Sequence, residues 1–155
     1  MTKRIVLVLP SGQALATLPR IRADLAAAAN ESVEIVLVGW DLSAAPADVT
    51  AVSLRPGKPA GDSVSRLLDR TVRRSFIGLN LIRLSPWDAG RVFWRGVKRS
   101  RAAMDALASA DLLVALERDG LLTVWHAARR SNRHPIAVTG MAAALDRVSF
   151  SRPVA

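Results

Sequence analysis

Glu117 and Asp119 flank Arg118 just after the apolar run Asp111-Leu112-Leu113-Val114-Ala115-Leu116. Carboxylates at the exit of a strand serve as a general base or bind sugar hydroxyls, so these two are the catalytic candidates. Ser11-Gly12-Gln13 follows a second apolar run, Ile5-Val6-Leu7-Val8-Leu9-Pro10. Gly12 lets backbone N–H groups approach a ligand closely. Thr139-Gly140 closes a third run. Ser11, Gly12, Gln13, Glu117, Thr139 and Gly140 are therefore the ligand-binding candidates. The plain alternatives are an ordinary turn at Ser11-Gly12 and solvated loop carboxylates at 117 and 119.

Other chemistries are poorly supplied. The chain has no Cys, which removes thiolate ligands, Cys nucleophiles and disulfides. His126 lies in a helical stretch beside Trp125 and reads as packing or surface. His134 precedes Pro135 at a strand entrance, the end away from the other candidates. Two such histidines without a carboxylate cluster make no metal site. Pro10-Ser11-Gly12-Gln13 is not the Gly-x-Gly-x-x-Gly fingerprint, and no P-loop pattern occurs. No cofactor is expected, and a small nucleotide-binding enzyme is the weakest reading.

The elements that must position these residues are short. Ile5–Leu9, Glu34–Val38, Thr50–Leu54, Asp111–Leu116 and His134–Gly140 read as strands, several of them buried on both faces. Leu18, Ile21, Leu25 and Ala28 recur at helical spacing behind Thr17, a candidate cap. Asp62 can cap a helix carrying Val64, Leu67, Leu68 and Val72. Phe93, Val97, Met104 and Leu107 mark a helical signal from Arg91 to Ser109, and another runs from about Leu121 to Arg130. Alternating strands and helices imply parallel pairing through right-handed crossovers. The expected fold is α/β, a doubly wound, mostly parallel five-stranded Rossmann-like sheet in the order 3-2-1-4-5. In such sheets ligands bind beyond the carboxyl ends of the strands where the order reverses, here between the first and fourth strands. Residues 1–140 are expected to form one domain with a basic amphipathic helical insertion at 62–109. Residues 141–155 read as a tail with one more helical turn.

Charge is concentrated. The chain of 155 residues has 22 Lys and Arg against 13 Asp and Glu, a net charge of +9. Residues 66–101 hold ten Lys or Arg and two Asp, so one segment carries nearly all of the excess. Phe76, Ile77, Leu79, Trp87, Phe93 and Trp94 are interleaved with these cations. Such a mixture describes an interfacial membrane surface or the solvated faces of two helices. Arg70, Arg73, Arg74, Arg91, Arg95, Lys98 and Arg99 are the membrane- or anion-binding candidates. Nucleic acid ranks below a membrane, because no helix-turn-helix, zinc or RNA-recognition motif accompanies the block. Half the residues are hydrophobic, which excludes disorder as the main state. The longest clean apolar runs span about six residues, far short of the roughly 18 that cross a bilayer. A cytoplasmic protein is expected, with peripheral association at the inner membrane face.

Four stretches carry a family resemblance: Arg4-Ile5-Val6-Leu7-Val8, Val33-Glu34-Ile35-Val36-Leu37-Val38-Gly39-Trp40, Ala110-Asp111-Leu112-Leu113-Val114-Ala115-Leu116-Glu117, and the segment from Ser75 to Asp88. Together, over about residues 1–140, they resemble the N-terminal half of a GT-B glycosyltransferase of the retaining family-4 type, actinobacterial members in particular. The resemblance implies a Rossmann-like domain that binds a sugar or lipid-linked acceptor, with a glycine in the first-strand loop matched by Gly12. It also implies attachment to anionic membranes through basic and apolar elements. The nucleotide-sugar half of that family would begin where this chain ends. The expectation is an acceptor-binding half that is not active alone, partnered by a second subunit carrying the donor domain or by a second copy as a homodimer. The alternative is a non-enzymatic interaction module. It would bind an anionic membrane, nucleic acid or a protein through residues 66–101.

Overall fold

The computed structural model describes residues 2–29, 32–55 and 88–149. Five short apolar runs form five strands: β1 (Lys3–Leu9), β2 (Val33–Trp40), β3 (Thr50–Leu54), β4 (Leu112–Ala115) and β5 (Ile136–Thr139). They make one all-parallel sheet in the order β3-β2-β1-β4-β5, as expected of the sequence. The register aligns Val8 of β1 with Val38 of β2 and Ala115 of β4, and Ala115 with Thr139 of β5. Parallel pairing puts the carboxyl ends on one rim.

Side-chain alternation divides the core into two layers. Val6 and Val8 face a layer with Val36, Val38, Leu113, Phe93, Val97, Leu107 and Val124. Ile5, Leu7 and Leu9 face the other, with Leu37, Val114, Leu18, Ile21, Leu25 and Val148. Helices cover both faces: α2 (Ala89–Arg99), α3 (Arg101–Ala108) and α4 (Leu121–Arg130) on the first, α1 (Leu18–Ala28) and α5 (Gly140–Ser149) on the second. β1 is thus buried on both sides, which explains its unbroken run of β-branched and leucine residues.

Three details differ from the sequence-based expectations. The helical signal from Arg91 to Ser109 is two helices. Ser100 is extended (φ −99°, ψ 110°) and serves both: its N–H donates to the Val97 carbonyl at 3.0 Å, and its hydroxyl accepts from the Ala103 N–H at 3.3 Å. Thr17 makes no side-chain cap. A 3-10 turn (Gln13–Thr17) precedes α1 instead, and the Thr17 hydroxyl donates to the Ala14 carbonyl at 2.9 Å. From Gly140 the chain makes ten helical residues rather than a single turn, because Ala144 and Val148 are buried in the second core layer. The helix expected behind Asp62 and the apolar stretch up to Trp87 lie outside the described residues.

Polar contacts fix the elements at either end. At the entrance of the sheet, the Arg4 guanidinium donates to Glu34 at 3.0 Å and to the Ser109 hydroxyl at 2.8 Å. The Arg4 N–H donates to the Asp111 carboxylate at 2.8 Å. Arg22 of α1 pairs with Asp48 at 2.7 Å, and that hydrogen bond holds the Asp48 carboxyl below its usual range. At the other end, Trp40 packs edge-on to Phe93 at 5.5 Å between ring centroids. A Cβ on Gly96 would overlap the Trp40 indole, so glycine is what lets α2 lie against the end of β2.

Candidate functional site

The rim between β1 and β4 is where the ligand-binding candidates should meet. Gly12 takes the left-handed conformation (φ 70°) and turns the chain after β1 into the 3-10 turn. Its N–H donates to the Leu9 carbonyl at 3.3 Å. The Ser11 hydroxyl accepts from the Gln13 N–H at 3.2 Å. Glu117 reaches across from the exit of β4. Its carboxylate accepts from the Ser11 N–H at 2.5 Å and from the Ala14 N–H at 3.4 Å. Ser11, Gly12, Gln13 and Glu117, over a hundred residues apart in the chain, are therefore gathered at one point.

What gathers them is a clamp between two strand exits. Both Glu117 oxygens are engaged by backbone donors, and these charge-assisted bonds hold the β1 turn in place. Asp119 lies in a second 3-10 turn (Arg118–Gly120), whose carbonyl side abuts the start of α2 at Gly90. Thr139 stands level with Ala115, one strand further out, and Gly140 (φ 77°) opens onto free space. Among the described residues, no hydrogen bond joins Thr139 or Gly140 to Ser11, Gln13 or Glu117.

The second constellation forms where α2 and α4 pack together. Arg91, Trp94, Arg95, Leu122 and His126 line an open cleft of about 340 Å3. The Trp94 indole stacks on the His126 imidazole at 5.0 Å, with 11° between their planes. Trp125 meets the same imidazole edge-on at 4.7 Å. Three cations lie over the indoles: Lys98 at 5.9 Å and Arg130 at 5.4 Å from Trp94, and Arg129 at 4.8 Å from Trp125. Such contacts hold cations over an aromatic face while leaving the charge available to solvent. No ion pair among the described residues joins Arg91, Lys98, Arg129 or Arg130 to a carboxylate. Neither α2 nor α4 contains an acidic residue. Asp88, just before α2, is turned to its helix end, where it accepts from the Arg91 N–H at 3.2 Å.

The electrostatics follow from this crowding. Burial, then the charges of Arg130, Lys98 and Arg129, lower the His126 pKa below its ordinary value. The neutral imidazole is thereby favoured, and it sits among cations. Exposed apolar side chains occur on the same two helices: Val92 of α2 is 39 % exposed, and Leu121 and Trp125 of α4 are 40 % and 50 % exposed.

No protein-family model, curated protein or solved structure matches this chain. The candidate chemistry therefore rests on the two constellations themselves. Of the anion-binding candidates, Arg91, Arg95, Lys98 and Arg99 belong to α2, and Arg70, Arg73 and Arg74 lie outside the described residues. Trp125, Arg129 and Arg130 are absent from the candidates expected of the sequence, and His126 reads there as packing or surface. Their signal was helical spacing: Trp125 and Arg129, and His126 and Arg130, are each one turn apart.

A larger cleft of about 530 Å3 lies between α1 and the start of β2, lined by Pro19, Arg22, Ser32, Val33 and others. Its cation, Arg22, is already paired with Asp48. A groove of about 350 Å3 near α3 contains Arg4, whose guanidinium is taken by Glu34 and Ser109. Among the described residues, no group of three His, Asp or Glu is placed to hold a metal ion. No described helix is long and apolar enough to cross a membrane.

Proposed function

We propose that this chain is a binding domain that docks on an anionic phospholipid surface through the joined faces of α2 and α4. The observation that carries the reading is the composition of the two helices: four cations on α2, two on α4, no acid on either, and Val92, Leu121 and Trp125 exposed among their residues. Cations near an anionic leaflet each contribute about 1 kcal/mol. Tryptophan and leucine at the headgroup level add apolar burial of about 25 cal/mol per Å2. Both contributions are available on the same two helices, whereas an ordinary solvated helix face needs only the charge.

The test is flotation of the full chain with vesicles. Binding is expected to phosphatidylglycerol vesicles and not to phosphatidylcholine, and to weaken as salt shortens the Debye length. Arg95→Glu with Arg99→Glu changes the charge of the face by four and is expected to weaken binding at least tenfold. Equal flotation of the double variant contradicts the reading. Retention on nucleic acid but not on vesicles assigns the face to a different polyanion.

A second reading is the acceptor-binding half of a sugar transferase. It is supported by the left-handed Gly12 turn beside the β4 exit in a 3-2-1-4-5 sheet. A sugar acceptor would bind around Gly12, Glu117 and Thr139. Saturable perturbation of Gly12 and Thr139 amide resonances by sugar acceptors supports it. Silence of both across the titration contradicts it.

A further inference from the structure

We propose that the cleft between α2 and α4 is a seat for one phosphate monoester group, held by Arg91, Arg95 and Lys98 and sharing a proton with His126. The inference rests on the anionic-surface reading above and adds the group that the surface selects. Arg91 and Arg95 are one turn apart on α2 and both line the cleft, the Arg95 Nε donating to the Arg91 carbonyl at 3.4 Å, so both guanidinium groups stand where phosphate oxygens would enter. Lys98, a further turn along, lies beside Trp94. Trp94 and Trp125 confine the imidazole of His126 on two sides, and that imidazole lines the cleft with the two arginines.

A monoester suits this arrangement better than a diester for two reasons. It carries nearly two negative charges near neutral pH, with a second ionisation at about pH 6. Two cations lining the cleft, with Lys98 beside Trp94, match that charge, whereas a diester presents only one. Its ionisation also falls in the range of a histidine, so one proton can be divided between ligand and ring. Burial of His126, and then the cations around it, favour its neutral form in the free protein. A dianion among them offsets their repulsion and favours the imidazolium, so ligand binding and proton uptake are linked.

The charged groups around His126 leave little else to answer the ligand. α2 supplies Arg91, Arg95, Lys98 and Arg99, and α4 itself supplies Arg129 and Arg130. β4 and β5 carry no charged residue. On α3, Arg101 and Asp105 face each other at 3.7 Å. The 3-10 turn before α4 carries Arg118 and Asp119. On the anionic-surface reading the monoester is borne by a lipid, and the same chemistry on a soluble ester distinguishes the source.

The experiment follows the imidazole C–H proton resonances of the full chain through a pH titration. Three samples are compared: protein alone, with glycerol phosphate, and with small bicelles containing phosphatidic acid. His126→Gln assigns the resonance, and His134 is the internal control. The expected result is that the His126 midpoint rises by about one pH unit or more with a monoester while His134 stays within a few tenths. Arg91→Gln with Arg95→Gln is expected to abolish the rise and leave the fold-sensitive resonances in place. A response to phosphatidic acid alone supports a lipid-borne ligand, and a response to glycerol phosphate as well supports the seat in either setting. A His126 midpoint unmoved by both overturns the proposal, as does a rise that persists in the double variant. Flotation on phosphatidylglycerol, a diester, separates the two claims. If flotation persists while His126 does not respond, the seat is wrong and the docking surface stands. If flotation fails while His126 responds to the soluble ester, the seat stands and the membrane reading falls.

Discussion

Glu117 shows how a residue type that invites a catalytic reading can be occupied by architecture. Its carboxylate accepts backbone hydrogens from Ser11 and Ala14, on the far side of a strand exit. Removing a charged acceptor from such donors costs about 1.5–3 kcal/mol. Glu117→Ala is expected to lower the unfolding free energy by that amount, and Glu117→Gln, which keeps one acceptor oxygen, by less. Urea denaturation measures both, and an unchanged midpoint for Glu117→Ala contradicts the clamp. His126 makes a second prediction at this scale. Its folded-state pKa lies below its unfolded value, so the unfolded chain takes up the proton first as pH falls. Stability is unaffected by this group above about pH 6.5 and declines below it until the folded pKa is reached. His126→Gln is expected to lose less stability than the parent between about pH 7 and pH 5.5, read as the difference between two urea titrations. A larger loss in the variant contradicts the sign.

Among the elements, α2 decides whether the basic face exists. Its seat depends on Gly96 lying against Trp40 from the end of β2. Gly96→Ala gains about 1 kcal/mol of helix propensity, but the new methyl overlaps an indole wedged against Phe93. Overpacking of this kind costs about 1–3 kcal/mol, so a net loss is expected. Gly96→Val should be worse, and a gain in thermal midpoint for either contradicts the packing. The strands were the legible part of this architecture. Ile5–Leu9 and Glu34–Val38 are continuous apolar runs, and a parallel strand covered on both faces needs such a run. The break at Ser100 was hidden because Val97 and Met104 keep helical spacing across it. The joint site of α2 and α4 was less legible still. Trp94 and Lys98, or Trp125 and Arg129, can be paired within one helix from spacing alone, but the stacking of Trp94 on His126 depends on where the crossovers place the two helices. The Glu117 clamp was hidden for the same reason, since its donors are backbone groups more than a hundred residues away.

The whole molecule is a parallel sheet with different chemistry at its rim and along one helical layer. At the rim, Glu117 ties the exit of β4 to the turn after β1. The layer of α2 and α4 presents cations, indoles and an open cleft, and an anionic partner would be met there. Sodium chloride is expected to weaken vesicle binding steeply and to leave the unfolding midpoint nearly unchanged, because exposed charges are screened while the buried core is not. The most direct test is depth-dependent quenching of tryptophan fluorescence by brominated lipids, comparing the parent chain with Trp125→Phe. Quenching is expected with anionic vesicles, little with zwitterionic ones, and a marked fall in the quenched component when Trp125 is replaced. Equal quenching with and without Trp125, or none on anionic vesicles, contradicts the claim that α2 and α4 face the membrane.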